Sequence, residues 1–187
     1  LGIAVCRQQA GPPAELLESA GAAMYQAKRQ GRATHQLYDP EFGRRALDAL
    51  ELETQLTRAI ERNEFVLHYQ PQVRAADGRL AGCEALIRWR HPTRGLVEPD
   101  QFIPLAEESN LILEIGEWVL NRVCLDYRTL RREVAEPGRI SLNLSLKQLR
   151  QASFIVRCRS VFRRHGVSPS AFELEITEST LMADARR

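Results

Sequence analysis

The apolar and polar positions divide the chain into short elements that change period along its length. Leu1 to Cys6 is an apolar run that reads as the end of a strand, and Gly11-Pro12-Pro13 breaks it. Leu16, Leu17, Ala20, Ala23, Met24 and Ala27 then recur at helical spacing. Lys28-Arg29-Gln30-Gly31-Arg32 closes that helix, with cations in its last turn and Gly31 as the stop. After the boundary Tyr38-Asp39-Pro40, the positions Phe42, Ala46, Ala49, Leu52, Leu56 and Ile60 predict an amphipathic helix up to about Arg62. Such a helix either packs on its own domain or acts as a linker or dimer helix, and the pattern leaves both open.

From Phe65 the period shortens to two. Phe65, Leu67, Tyr69 and Val73 lie on one strand face, with His68, Gln70 and Gln72 on the other. Pro71 argues for an edge position or a bulge. The turn Ala76-Asp77-Gly78-Arg79 predicts an antiparallel hairpin with a second strand over Cys83–Trp89. His91-Pro92 and Gly95 mark a loop, and His91, with no second ligand near it in sequence, is read as structural. Asp100 is expected to cap a short helix through Glu107. Ile112, Ile115, Val119, Val123, Tyr127 and Leu130 predict a longer helix, stopped by Pro137-Gly138. A strand follows over Arg139–Ser145, with Ile140, Leu142 and Leu144 apolar and Ser141, Asn143 and Ser145 polar. Lys147 to His165 is expected to be one basic helix whose Arg157, Arg159, Arg163 and Arg164 form a solvated face. Gly166-Val167-Ser168-Pro169 turns into a last strand over Phe172–Glu178, with Leu174 and Ile176 on one face and Glu173, Glu175 and Thr177 on the other.

Strands separated by helices of this length imply parallel pairing with crossovers, hence an α/β sheet or barrel. In an open parallel sheet both faces meet helices, and strands run almost continuously apolar. These strands each keep one strongly polar face. That fits a barrel whose outer strand faces meet helices and whose inner face, near the mouth, builds a site.

Composition changes this picture little. A chain of 187 residues is long enough for an ordinary core. The net charge of +2 is too small to argue for nucleic acid or an anionic membrane. No apolar run approaches bilayer length and no signal peptide opens the chain, so membrane attachment is expected only through segments outside it. The cysteines Cys6, Cys83, Cys124 and Cys158 are scattered, without the spacing of a zinc site, and read as small core residues in a reducing cytoplasm. Neither Leu1 nor Arg187 looks like a natural end, which suggests a fragment.

The candidate chemistry centres on Cys83-Glu84-Ala85-Leu86-Ile87-Arg88-Trp89, where Glu84, Leu86 and Arg88 share one face. A charge on an otherwise apolar strand must be paired or must hold an ion or ligand. One reading is an internal Glu84–Arg88 ion pair. The other joins Glu84 to Asn143 and Glu175, one from each strand. Two carboxylates and an amide are hard oxygen ligands that suit Mg²⁺ or Mn²⁺. Arg88 would then be placed to meet a phosphate, and the set suggests metal-assisted phosphodiester hydrolysis. Spacing alone leaves a structural role open.

Several phrases carry a family resemblance. Leu16-Leu17-Glu18-Ser19-Ala20-Gly21-Ala22-Ala23-Met24-Tyr25-Gln26-Ala27-Lys28-Arg29-Gln30-Gly31-Arg32 resembles the C-terminal end of GGDEF (diguanylate cyclase) domains, with Gly21 where that family usually has Asp. Tyr69-Gln70-Pro71, Glu84-Ala85-Leu86-Ile87-Arg88-Trp89, Phe102-Ile103-Pro104-Leu105-Ala106-Glu107, Asn143-Leu144-Ser145 and Glu175-Ile176-Thr177-Glu178-Ser179 occur in the order seen in EAL domains. These are cyclic-di-GMP phosphodiesterases with a modified TIM barrel whose first strand is antiparallel. The resemblance implies a GGDEF remnant over 1–38, a linker helix over 39–63 and the N-terminal part of an EAL domain over 64–187. It implies Glu84, Asn143 and Glu175 as ligands for Mg²⁺ or Mn²⁺, Gln70 and Arg88 as contacts to cyclic-di-GMP, and Glu178 as support for a loop at the metal site. The product would be linear pGpG, and the parent protein could form homodimers through the EAL domain or the linker helix. The family's paired aspartates, catalytic lysine and late glutamate have no counterparts here, so the chain alone is expected to be inactive. A degenerate EAL domain that binds cyclic-di-GMP or a partner protein without hydrolysis is the alternative.

Overall fold

In the computed structural model, residues 1–5, 13–29, 35–134 and 137–176 are described, apart from the side chains of residues 26, 29 and 40–47. The chain forms two compact units, Leu1–Gln55 and Leu56–Arg187. In the first, β1 (Gly2–Ile3) pairs in parallel with β2 (Gln36–Leu37), and α1 (Pro13–Arg29) buries Ala23 and Ala27. The stop expected at Gly31 lies outside the described residues. Helix α2 (Pro40–Ala59) buries Leu52 and Leu56 of the predicted stripe together with Ala59, while Ile60 lies past its end and is partly buried.

The second unit is a mixed sheet with helices. Strands β3 (Phe65–Val73) and β4 (Leu80–His91) form the expected antiparallel hairpin, with Gln70 opposite Glu84 and Pro71 opposite Cys83. Strand β6 (Arg139–Asn143) pairs in parallel with β4, and β7 (Phe172–Glu175) in parallel with β6, giving the order β3-β4-β6-β7. An antiparallel first strand followed by parallel neighbours is therefore present. The described strands do not close into a barrel. The loop expected after His91 contains a further short strand, β5 (Gly95–Val97), which pairs back on β4.

Crossovers supply α3 (Pro99–Glu108), α4 (Ile112–Glu133) and α6 (Phe154–His165). Helix α3 begins differently from the expectation. Glu98 stands at the N-cap and Pro99 starts the helix, so Asp100 lies inside the first turn. The single basic helix expected over Lys147–His165 is two helices, α5 (Leu146–Leu149) and α6. Ser145 and Gln148 form a reciprocal capping box that starts α5, and the chain re-enters a helix only at Phe154, whose buried ring anchors α6. Helix α6 ends at Gly166 in the left-handed conformation.

One face of the sheet is the core. Cys83, Ala85, Ile140, Leu142 and Leu144 pack against Leu120, Val123, Cys124, Phe154, Cys158, Val161 and Phe162 from the helices. A second cluster joins Phe65, Trp89, Phe102 and Trp118, with ring centroids 5.6–6.1 Å apart. His91 is structural: it is buried edge-on to Trp89, and its Nδ1 accepts from the backbone N–H groups of Thr93 and Arg94. Cys83, Cys124 and Cys158 are free and buried, and burial pushes the Cys124 thiol up to about 11. No described helix is long and apolar enough to cross a membrane.

The β4–β6 pair depends on glycine at its start. Gly138 has φ +73°, and a Cβ there would lie 2.0 Å from the Ala81 carbonyl oxygen. Gly138→Ala combines left-handed strain with a backbone clash, each costing about 1–3 kcal/mol. The expected result is a loss of about 2–6 kcal/mol in urea unfolding; a change below about 0.5 kcal/mol would show that the strands tolerate separation.

Tyr69 ties β3 to α4. Its hydroxyl donates to Asp126 Oδ2 at 2.8 Å, and Arg122 holds the same carboxylate through Nε and Nη2 at 3.0 and 2.9 Å. Burial, then the bond to Asp126, pushes the phenol well above its ordinary range. The folded state thus keeps a proton that the unfolded chain loses above about pH 10. This contribution is complete below that pH and declines as pH rises beyond it. Tyr69→Phe should lower stability at pH 8 and flatten the alkaline decline, as read from urea midpoints between pH 8 and 11.

Candidate functional site

The polar face of the sheet gathers the residues that the alternation singled out. Register places Gln70 opposite Glu84, Glu84 beside Ser141, and Asn143 beside Glu175. Because Ser141 and Asn143 are two apart on β6, these side chains share one sheet face. Ser141 is buried at its base, Glu84 and Glu175 are partly buried, and Gln70 and Asn143 are exposed. Asn143 and Glu175 end their strands, so the group sits at the C-terminal end of the parallel pair β6–β7. This is the end at which parallel α/β folds place their sites.

The structure brings Glu84 and Asn143 into contact. Asn143 Nδ2 donates to Glu84 Oε1 at 2.6 Å, although the two residues are 59 apart in sequence. Glu175 lies in register with Asn143, and its backbone carbonyl accepts from Leu144 N at 2.7 Å. Among the described residues neither Glu84 nor Glu175 has a cationic partner. Nor do three His, Cys, Asp or Glu side chains converge among them; this set has two carboxylates and an amide. It still fits a hard cation. Turning the Asn143 amide about its last torsion exchanges nitrogen for oxygen without moving the backbone, and that torsion has two broad wells. Glu84, Asn143 and Glu175 would then offer oxygen donors from three strands on one sheet face.

The internal Glu84–Arg88 ion pair does not form. Residues four apart on a strand are separated by about 13 Å, beyond the joint reach of the two side chains in a direct pair. Arg88 instead pairs with Glu98, Nε to Oε2 at 2.8 Å, and donates from Nη1 to the Ile87 carbonyl at 2.9 Å. Glu98 was not legible from sequence because the β5 strand was not. Its signal is the tight turn before Gly95, which folds Val97 back against Trp89 and so sets Glu98 opposite Arg88. Glu107 was also missed as a site residue. Ser145 Oγ donates to Glu107 Oε1 at 2.6 Å, and Lys147 Nζ donates to the Glu107 carbonyl, tying α3 to the segment just after Asn143. Glu178 lies outside the described residues.

Comparison with known proteins gives this arrangement its family. The EAL domain model matches residues 53–187. The bifunctional diguanylate cyclase/cyclic di-GMP phosphodiesterase MucR of Pseudomonas aeruginosa is 42% identical over 185 residues, which are 99% of this chain and 27% of that protein. The cyclic di-GMP phosphodiesterase NbdA of the same organism is 40% identical over 168 residues, 90% of this chain and 22% of that protein. The chain thus spans about a quarter of the length of these relatives. Among solved structures, the PaMucR phosphodiesterase in complex with c-di-GMP superposes with a TM-score of 0.67 at 45% identity, covering 73% of this chain and 55% of that one. A sheet with its first strand antiparallel, a polar face carrying Glu84, Asn143 and Glu175, and a family match over most of the chain lead to one conclusion: this chain belongs to the EAL-domain family.

Proposed function

We propose that this chain carries the first part of a cyclic-di-GMP phosphodiesterase site, within a parent protein of GGDEF–EAL arrangement that hydrolyses cyclic-di-GMP to linear pGpG. The observation that carries the reading is the Asn143–Glu84 contact at 2.6 Å, with Glu175 in register beside it and no cation among the described residues to neutralise either carboxylate. The names of the relatives support the substrate. The similarity to MucR, which covers 99% of the chain, supports residues 1–38 as the end of a GGDEF domain and 39–63 as a linker helix. The phrase over Leu16–Arg32 supports the same division. The rest of the barrel would lie beyond the strands seen here.

In this reading Glu84, Asn143 and Glu175 hold Mg²⁺ or Mn²⁺. The cation supplies charge stabilisation of the phosphoryl group under attack and makes water a better nucleophile. Glu84 accepts one amide bond and is only partly buried, so its carboxylate is reachable from the polar face. Ser141, in register with Glu84, is buried beneath the set. Gln70 and Arg88 contact the dinucleotide, the amide by hydrogen bonds and the guanidinium through its charge on a phosphate. Glu178, outside the described residues, would brace a loop that helps shape the metal site.

In the full-length protein, Glu84→Gln removes a ligand charge while keeping the side-chain shape. Loss of several kcal/mol of transition-state stabilisation corresponds to a drop of about 100-fold or more in Mg²⁺-dependent pGpG formation. Chromatographic product analysis reads this directly, and full activity in the variant would remove Glu84 from the ligand set.

The isolated 187-residue chain is expected to show no steady cyclic-di-GMP turnover. It has no residues that match the family's paired aspartates, catalytic lysine or late glutamate. Sustained turnover by the purified chain would show that those groups are dispensable.

A further inference from the structure

We infer that Glu98 is a positioning residue for the dinucleotide, acting through Arg88; this rests on the reading of Arg88 as a phosphate contact. The β4–β5 register pairs Trp89 with Val97, both buried on the core side. Continuing that antiparallel register by one residue sets Glu98 directly opposite Arg88, on the sheet face that carries Glu84. The ion pair at 2.8 Å follows from this placement.

Glu98 also occupies the N-cap of α3, where a side-chain acceptor normally satisfies a backbone N–H of the first turn. It makes no such bond. Its carboxylate turns to Arg88 instead. The Arg88 side chain is 16% exposed and that of Glu98 50%, so the carboxylate reaches in from the rim to a largely covered guanidinium.

The geometry leaves a defined part of Arg88 available. Its Nε–H goes to Glu98 and one Nη1–H to the Ile87 carbonyl. Among the described residues the second Nη1–H and the Nη2–H groups have no other acceptor, and one N–H from each nitrogen forms the outer end of the guanidinium. That end can take two phosphate oxygens side by side. Glu98 at Nε and the Ile87 carbonyl at Nη1 hold the guanidinium at two points, so a phosphate meets a group already oriented. Glu98 does not compete for the phosphate, because it uses Nε and leaves the outer end open.

The test uses the full-length protein and cyclic-di-GMP itself. Affinity is measured by calorimetry in EDTA, which suppresses turnover, and KM and kcat are measured with Mg²⁺. Glu98→Ala should weaken Kd and raise KM by about tenfold, the scale of a hydrogen bond to a charged group, with kcat nearly unchanged. Glu98→Gln keeps an acceptor and should stay within about threefold of the parent. Thermal midpoints of both variants check that the fold is intact. Unchanged or tighter binding by Glu98→Ala overturns the inference, tighter binding marking Glu98 as a competitor. Arg88→Ala separates the two levels. If it weakens binding while Glu98→Ala does not, only the positioning role fails; if it leaves Kd unchanged, the phosphate contact and the positioning role fall together.

Discussion

The rest of the second unit depends on the insertion of β6 between β4 and β7. Its backbone must approach both neighbours closely enough for parallel ladders to form. Gly82 and Gly138 permit this at the start of the β4–β6 pair, where a Cβ on either would run into the opposing backbone. Once that register is set, Glu84 lies beside Ser141 and Asn143 beside Glu175. The polar set is a consequence of the pairing. A slip of one residue would turn Ile140 and Leu142 to the polar side and send Ser141 and Asn143 into the core.

The two faces of this sheet are held by different forces. The apolar side is covered by α4 and α6 and is stabilised by burial of Cys83, Ala85, Ile140, Leu142 and Leu144 against them. The polar side is held by specific pairs. Its charges are not matched to one another along the strand, since Glu84 and Arg88 are too far apart. Each has a partner from elsewhere: an amide for Glu84, a carboxylate for Arg88. The difference matters chemically. Arg88 is oriented by an ion pair, whereas Glu84 is met only by a neutral amide among the described residues.

Most of the strands and long helices were legible because their periods are clean. Phe65 to Val73 alternates, and Ile112 to Leu130 recurs at helical spacing, so β3, β4 and α4 fell close to their predicted places. The alternation also located Glu84, Asn143 and Glu175 on polar faces, though the direct Asn143–Glu84 contact needed the parallel register to become visible. What failed was short. β5 has three residues and offers too little alternation to read. The break between α5 and α6 depends on a capping box at Ser145, a local signal masked by a continuous basic composition. Glu98 and Glu107 drew no site reading, because their partners, Arg88 and Ser145, lie 10 and 38 residues away in sequence and meet them only through tertiary structure.

Those two acids bracket one helix, and this gives α3 a role beyond covering the core. Phe102, Leu105 and Ala106 bury its inner face. Glu98 at its start holds Arg88 on β4, and Glu107 near its end holds Ser145, two residues after Asn143. A single rigid element therefore spans from the arginine side of the polar face to its amide side. Pro99 favours the first turn by fixing its backbone dihedral, and Pro104 removes one donor from the middle of the ladder. The helix accepts that loss because its buried face, rather than its hydrogen-bond ladder, sets its position. The packing of Phe102 against Phe65 and Trp89 fixes the helix between these two attachments, so Glu98 and Glu107 reach their partners from one element held by the core.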